Sequence, residues 1–371
     1  MKRLFVLTLA LCLLLCACGG TPEPETSPIT TPTAPTTVPT TVATEPPTEP
    51  TTEPTTVPTE PPVIYRHPLN GAALDAPFTG RATAVVINNL VDCLPQSGIS
   101  NADMIFELET EGGITRLLAV FTDLENVGSI GPVRSARSFF NNIALAYNAP
   151  IIHCGGSEWG INGYYDANNR ISGWEHINEQ YNGSYFFRDT SRTSSYSWEH
   201  TLFTRSDLLL KGLADKGYNT TYPEGVDFGM LFAEDPQLTG ETANTVTINF
   251  RFGKTTTMTY NPDNGLYAAA QYGISHIDQN TGDVMSYRNV LCLYTSQWQQ
   301  SDSYYLRSFY GLTGEGSGHY ACGGKLVPIK WSRADVNSPF VYTLEDGTPL
   351  TLGVGTTYVG ICSNKMTVSY E

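Results

Sequence analysis

The stretch Met104-Ile105-Phe106-Glu107-Leu108-Glu109-Thr110-Glu111-Gly112-Gly113-Ile114-Thr115-Arg116-Leu117-Leu118-Ala119-Val120-Phe121 reads as two strands joined by a tight turn. Met104, Phe106 and Leu108 share one face of the first strand. Asp103, Glu107, Glu109 and Glu111 share the other. Gly112-Gly113 can supply the backbone of a two-residue hairpin. That register sets Glu111 opposite Ile114 and Glu109 opposite Arg116. The second strand is apolar on both faces around Leu117–Val120. The carboxylate face is therefore predicted to be covered rather than open to water.

Working outward, Thr83–Asn88 reads as a buried strand. After the Gly131-Pro132 turn, Arg134–Tyr147 reads as a helix with Phe139, Phe140, Ile143 and Tyr147 inward. Pro150–Cys154 is a short strand running into Gly155-Gly156-Ser157, where a second helix is predicted to begin. Thr204 and Asp207 have capping-box spacing for a helix over Leu208–Lys216, with Gly217 as its stop. Beyond residue 242 the turn signals Asn264-Gly265, Thr281-Gly282, Gly323-Gly324 and Asp346-Gly347 recur between strand-like runs. The expected class is α/β in the α+β sense. A layered sheet-and-helix N-terminal domain (63–220) is followed by a mostly antiparallel β domain (242–371).

The segment before residue 63 speaks of location. Lys2 and Arg3 precede an apolar run from Leu4 to Leu15, then Leu15-Cys16-Ala17-Cys18-Gly19. This reads as a secretory signal (1–18) with a lipobox whose Cys18 is lipidated. The apolar run is too short to span a bilayer. Residues 19–62 are almost only Thr, Pro, Glu, Val and Ala, a composition that cannot build a core and reads as a disordered stalk. Fully extended, it would reach roughly 130 Å. The expected location is the extracytoplasmic face of a bacterial cell membrane, with the membrane held through Cys18.

The chain carries 36 acidic against 21 basic residues. Such a balance argues against nonspecific nucleic-acid binding. Of eight cysteines, Cys93, Cys154, Cys292, Cys322 and Cys362 belong to the body. They show no CxxC and no metal spacing, so several read as buried thiols. Glu175, His176 and Glu179 carry metal-capable atoms without a recognised spacing and read as solvated loop residues. No cofactor signature is present; Gly155-Gly156-Ser157 completes neither a nucleophile elbow nor a P-loop.

Between Val63 and Leu210 every lysine or arginine position is arginine: Arg66, Arg81, Arg116, Arg134, Arg137, Arg170, Arg188, Arg192 and Arg205. The planar guanidinium holds a carboxylate or phosphate in fixed geometry, which a lysine does not. Arg134 and Arg137 would stand in the first turn of the predicted helix, against its dipole. A compensating anion is therefore expected. It is either internal (Asp103, Glu107, Glu109 or Glu111) or a bound ligand using both arginines and the free helix amides. Ser157 reads as a helix cap; as a nucleophile it would need His153 or His200. Trp159, Tyr164, Tyr165, Trp174, Tyr181, Tyr185 and Phe186 form an aromatic run suited either to core packing or to a sugar surface.

Several motifs occur in order: Pro95-Gln96-Ser97-Gly98, Ala102-Asp103, Glu111 to Arg116, and Gly131-Pro132-Val133-Arg134-Ser135-Ala136-Arg137. His153 with Gly155-Gly156-Ser157, Phe187-Arg188-Asp189, Gly318-His319-Tyr320 and Trp331 follow. The chain thereby resembles the YerB-like bacterial lipoproteins, the family called domain of unknown function 3048. The resemblance implies a layered α/β part and a β-rich part, and it implies no reaction. One departure is visible: Ser197-Trp198-Glu199-His200 stands where the family carries Ala-Pro-His-Asn.

The expected function is binding of an anionic envelope component, glycan or partner protein through an Arg/carboxylate-rich cleft. The candidate ligand-binding set is Glu107, Glu111, Arg116, Arg134, Arg137, His153, Ser157, Arg188, Asp189 and Arg192. A hydrolase or transferase acting on envelope polymers, and a scaffold without a small ligand, are the rival readings.

Overall fold

The computed structural model describes residues 64–156, 175–223, 226–301 and 306–371. Residues Pro61–Glu371 form one compact unit. Its frame is an eleven-stranded mixed sheet. In chain order its strands are β1 (Thr83–Asn88), β2 (Met104–Glu109), β3 (Thr115–Phe121), β4 (Ile151–His153) and β5 (His176–Asn178). Then come β6 (Glu241–Thr242), β7 (Asn289–Tyr294), β8 (Gly314–Cys322), β9 (Lys325–Arg333), β10 (Val341–Leu344) and β11 (Thr357–Cys362). Their order across the sheet is β6-β9-β8-β7-β11-β2-β3-β1-β4-β5, with β10 on β9.

The two expected domains therefore do not stand apart. β11 lies parallel to β2, pairing Thr357 with Met104 and Gly360 with Glu107. The C-terminal part is β-rich as expected but not simply antiparallel, because β7 and β11 are parallel too. Since β2 and β1 both oppose β3, and β9 and β7 both oppose β8, seven strands (β9, β7, β11, β2, β1, β4 and β5) run the same way. Their carboxyl ends share one edge of the sheet.

Burial on both faces explains the apolar run in β3. Met104, Phe106, Leu108, Leu118 and Val120 pack with Phe139, Phe140, Ile143 and Tyr147 of helix α1 (Ser138–Ala146). On the other face Ile105, Leu117, Ala119 and Phe121 share a core with Leu209 and Leu213 of helix α2 (Ser206–Asp215). That second core also takes Val246, Ile248, Met258 and Ala269 from a six-stranded sheet built around Thr245–Asn249, Thr255–Asn261 and Leu266–Gln271. The result is a layered, predominantly β body.

Three local expectations are corrected. The hairpin register is one residue off: Glu109 pairs with Thr115 and Leu108 with Arg116. Glu111–Gly113 forms a short 3-10 turn with Gly112 and Gly113 both near φ +75°, so the loop takes three residues instead of two. Helix α1 starts at Ser138 with extended Arg137 as its N-cap, so Arg134 lies outside the helix. Thr204 does not cap α2 either. Its hydroxyl donates to the Tyr185 carbonyl, Arg205 is the N-cap residue, and Asp207 pairs with Arg205.

Candidate functional site

The carboxylates of β2 face the six-stranded sheet, and Glu107 is fully buried there. Its Oε1 accepts from Thr115 Oγ1 (2.6 Å) and Asn89 Nδ2 (2.8 Å). Its Oε2 accepts from Tyr358 (2.7 Å) and Thr256 (2.8 Å). The Lys254 ammonium, 2 % exposed, stands 3.0 Å away and also donates to Gln271. From Gln271 the chain of bonds continues through His276 to Gln96, which donates to Asn89. Burial alone would raise the Glu107 carboxyl; Lys254 and the hydroxyls of Thr115 and Tyr358 hold it below its ordinary value. Burial, with Lys254 nearby, pulls His276 down to about 4. Glu107 thus belongs to a closed internal network, not to a cleft. Glu109 likewise is buried against Arg251.

Glu111 and Arg137 do meet, at 2.8 Å, as the internal reading required. Glu111 also accepts from the Ser308 amide (3.1 Å). Burial opposes ionisation of Glu111, but Arg137 and that amide hold its carboxyl below the usual range. Arg116 donates to the Ser135 carbonyl (2.7 Å) and is buried. Arg192, 2 % exposed, donates to the carbonyls of Cys93 and Pro95 and to Gln279, and packs over Tyr196 and Phe203. Asp189 stands 3.6 Å from Arg192 and accepts from Ser191. These arginines brace loops.

A different group gathers where β1, β4 and β5 end. Residues 133–136 run between β1 and the end of β4, with the Arg134 amide on Val86, the Cys154 amide on Arg134 and the Ala136 amide on Gly155. This is the kind of place where open sheets with parallel strands bind ligands. Arg134 is partly exposed and pairs with half-exposed Glu199 at 2.9 Å. Arg188 donates to the Trp198 carbonyl (2.7 Å), and its guanidinium lies 4.3 Å over the Trp198 ring. Trp198 is 65 % exposed. Both guanidinium groups bear on the Cys154 thiol. Among the described residues the buried Nε of Arg134 and Nδ2 of Asn178 have no hydrogen-bond partner. Orphaned buried donors of this kind ask for an acceptor.

Among the described residues the Cys154 thiol is not activated as a nucleophile. Cys154 donates to Glu179, and burial with that carboxylate raises its thiol to about 11. His153 is fully buried. Its Nδ1 is 2.7 Å from the Gly155 carbonyl and its Nε2 is 3.0 Å from His176 Nδ1. Burial pulls it down to about 4. His200 is also buried, 2.8 Å from Asn88. Ser157, with Trp159, Tyr164, Tyr165, Arg170 and Trp174, lies outside the described residues. Glu175, His176 and Glu179 are not the solvated loop residues expected: His176 lies in β5, Glu179 opens a short helix and accepts from Cys154, and Glu175 pairs with Arg81. Among the described residues no cluster of side chains is arranged to hold a metal ion.

Sequence reasoning missed Lys254, Thr256, Tyr358 and His276, because each reaches Glu107 or Gln96 across a long stretch of chain. It missed Glu199 and Trp198 as well. There the departure at Ser197–His200 was the available signal.

Comparison with known proteins agrees with this architecture. Residues 69–219 match the family model described as the N-terminal domain of a protein of unknown function (DUF3048). Residues 246–359 match the C-terminal domain of the same family. A Bacillus subtilis (strain 168) protein named "Putative lipoprotein YerB" is 27 % identical over 306 residues, covering 78 % of this chain and 86 % of that protein. The crystal structure of YerB protein from Bacillus subtilis superposes with a TM-score of 0.66 at 25 % identity, covering 82 % of this chain and 99 % of that one. The ordered motifs, both family segments and the shared fold together make this chain a member of the YerB-like DUF3048 lipoprotein family.

Proposed function

We propose that the protein is a lipid-anchored extracytoplasmic binder that holds a phosphate- or carboxylate-bearing envelope component at the carboxyl edge of β1, β4 and β5. The observation that carries this reading is the contrast among the arginines. Arg116, Arg137 and Arg192 are consumed by internal partners. Those three are buried, whereas Arg134 is partly exposed on half-exposed Glu199, and Arg188 lies over the exposed indole of Trp198. An anion on Arg134 would take the place of Glu199, whose carboxylate is half exposed and can turn to water. The high thiol pKa of Cys154 and the low pKa of His153 favour binding over a hydrolase or transferase built on them.

The test uses a fluorescent poly(glycerol phosphate) chain as probe. The body is expected to bind it, more weakly as salt rises. Arg134→Ala with Arg188→Ala should remove the binding and leave the fold intact. Equal binding by parent and double variant would contradict the site. Membrane attachment is tested separately: Cys18→Ala should shift the protein out of the acyl-labelled membrane fraction.

A further inference from the structure

The same sheet edge carries a second concavity, at the ends of β7 and β11 and the start of β8. Its chemistry differs from the arginine group. A cleft of about 610 Å³ lies among Tyr294, Ser296, Thr313, Ser317 and Asn364, with Glu315 as its charged group. An adjoining cleft of about 510 Å³ shares Glu315, Gly316 and Ser317 and continues over Trp331, Lys330 and Thr343. The two meet across the Gly314-Glu315-Gly316-Ser317 start of β8.

Close packing of a core side chain supports the strand that the two clefts share. A Cβ at Gly316 would lie 2.5 Å from Trp331 Nε1 and 2.7 Å from the Tyr294 carbonyl. Glycine there lets the indole lie close under the strand while its Nε1 donates to the Tyr294 carbonyl at 3.0 Å. Tyr294 is itself held by a 3.0 Å bond between its hydroxyl and His319. The lining hydroxyls and the Asn364 amide can both donate and accept. The single acid and the single base, Glu315 and Lys330, leave the surface without net charge.

We propose that this double cleft binds a neutral glycan segment. A line of hydroxyl and amide groups matches sugar hydroxyls, which also donate and accept. The Tyr294 ring offers an apolar wall to a pyranose face. Each volume is in the range of ordinary small-ligand sites, ~300–1,000 Å³, and two joined clefts suit a linear oligosaccharide better than a compact ligand. A polyanion gains nothing from a surface without net positive charge. The site is independent of the arginine edge and of the function proposed for it.

Calorimetric titration of the body with chitotetraose and with cellotetraose tests this. Saturable binding of at least one is expected, unchanged by added salt and unchanged in Arg134→Ala. Ser317 and Asn364 are exposed, so Ser317→Trp and Asn364→Trp should fold, as a melting curve would verify. Each should abolish the binding by filling the cleft. Absence of binding of both sugars at millimolar concentration would overturn the proposal. So would undiminished binding by both tryptophan variants, or loss of binding in Arg134→Ala.

Discussion

Two ion pairs on one sheet illustrate two uses of the same chemistry. Glu107–Lys254 joins residues far apart in sequence, with side chains 0 % and 2 % exposed and every carboxylate lone pair engaged. Arg134–Glu199 sits at the carboxyl edge with side chains 19 % and 50 % exposed and an unpartnered Nε. The first fixes the six-stranded sheet onto β2. The second can open without disturbing the core. Composition alone does not separate them, since each is one acid and one base; burial and bonding do.

The comparison breaks most visibly at Lys254. Lys254→Met leaves the Glu107 charge buried without a counter-charge and should cost about 3–5 kcal/mol. Chemical denaturation would check this, and a loss below ~1 kcal/mol would place the pair among exposed bridges.

The next effect is on pH dependence. His276 and His153 are held neutral, at about 4 against an ordinary 6.5. The unfolded chain therefore binds protons first as pH falls. Stability is complete above about 6.5 and falls progressively toward 4, by roughly 3 kcal/mol per histidine. Glu107 adds its own loss further down, below its ordinary 4.5, because its folded value is depressed. Denaturation midpoints between pH 7 and pH 4 would measure the slope. His276→Gln should flatten it, and an unchanged slope would mean that His276 titrates normally.

The smallest effect is at the edge. Arg134→Ala breaks a half-exposed bridge and should cost ~0–1 kcal/mol. A larger loss would move Arg134 into the structural class with Arg137.

Much of the frame was legible in the chain. Thr83–Asn88 is the strand its apolar run predicts, and the alternation over Met104–Glu109 places the carboxylates on a covered face. Non-local pairing was not legible. Nothing near Thr357 announces Met104 as its neighbour, so the single sheet could not be read from local patterns. The apparent conflict of Arg134 and Arg137 with a helix dipole had a local cause. The helix begins later, at Ser138, and only Arg137 touches it, as its N-cap. An internal anion for Arg137 was foreseen, and Glu111 supplies it. Glu199 as the partner of Arg134 was not, because the two residues stand 65 positions apart in the chain.

The most direct measurement is a set of melting curves for the parent, Lys254→Met and the Arg134→Ala/Arg188→Ala double variant, each with and without poly(glycerol phosphate). The parent should melt higher with the polymer. Lys254→Met should melt lower overall yet keep the polymer-induced rise. The double variant should melt near the parent and show no rise. If the double variant keeps the full rise, or if Lys254→Met loses it while still folded, the division between a buried brace and a ligand-facing edge is wrong.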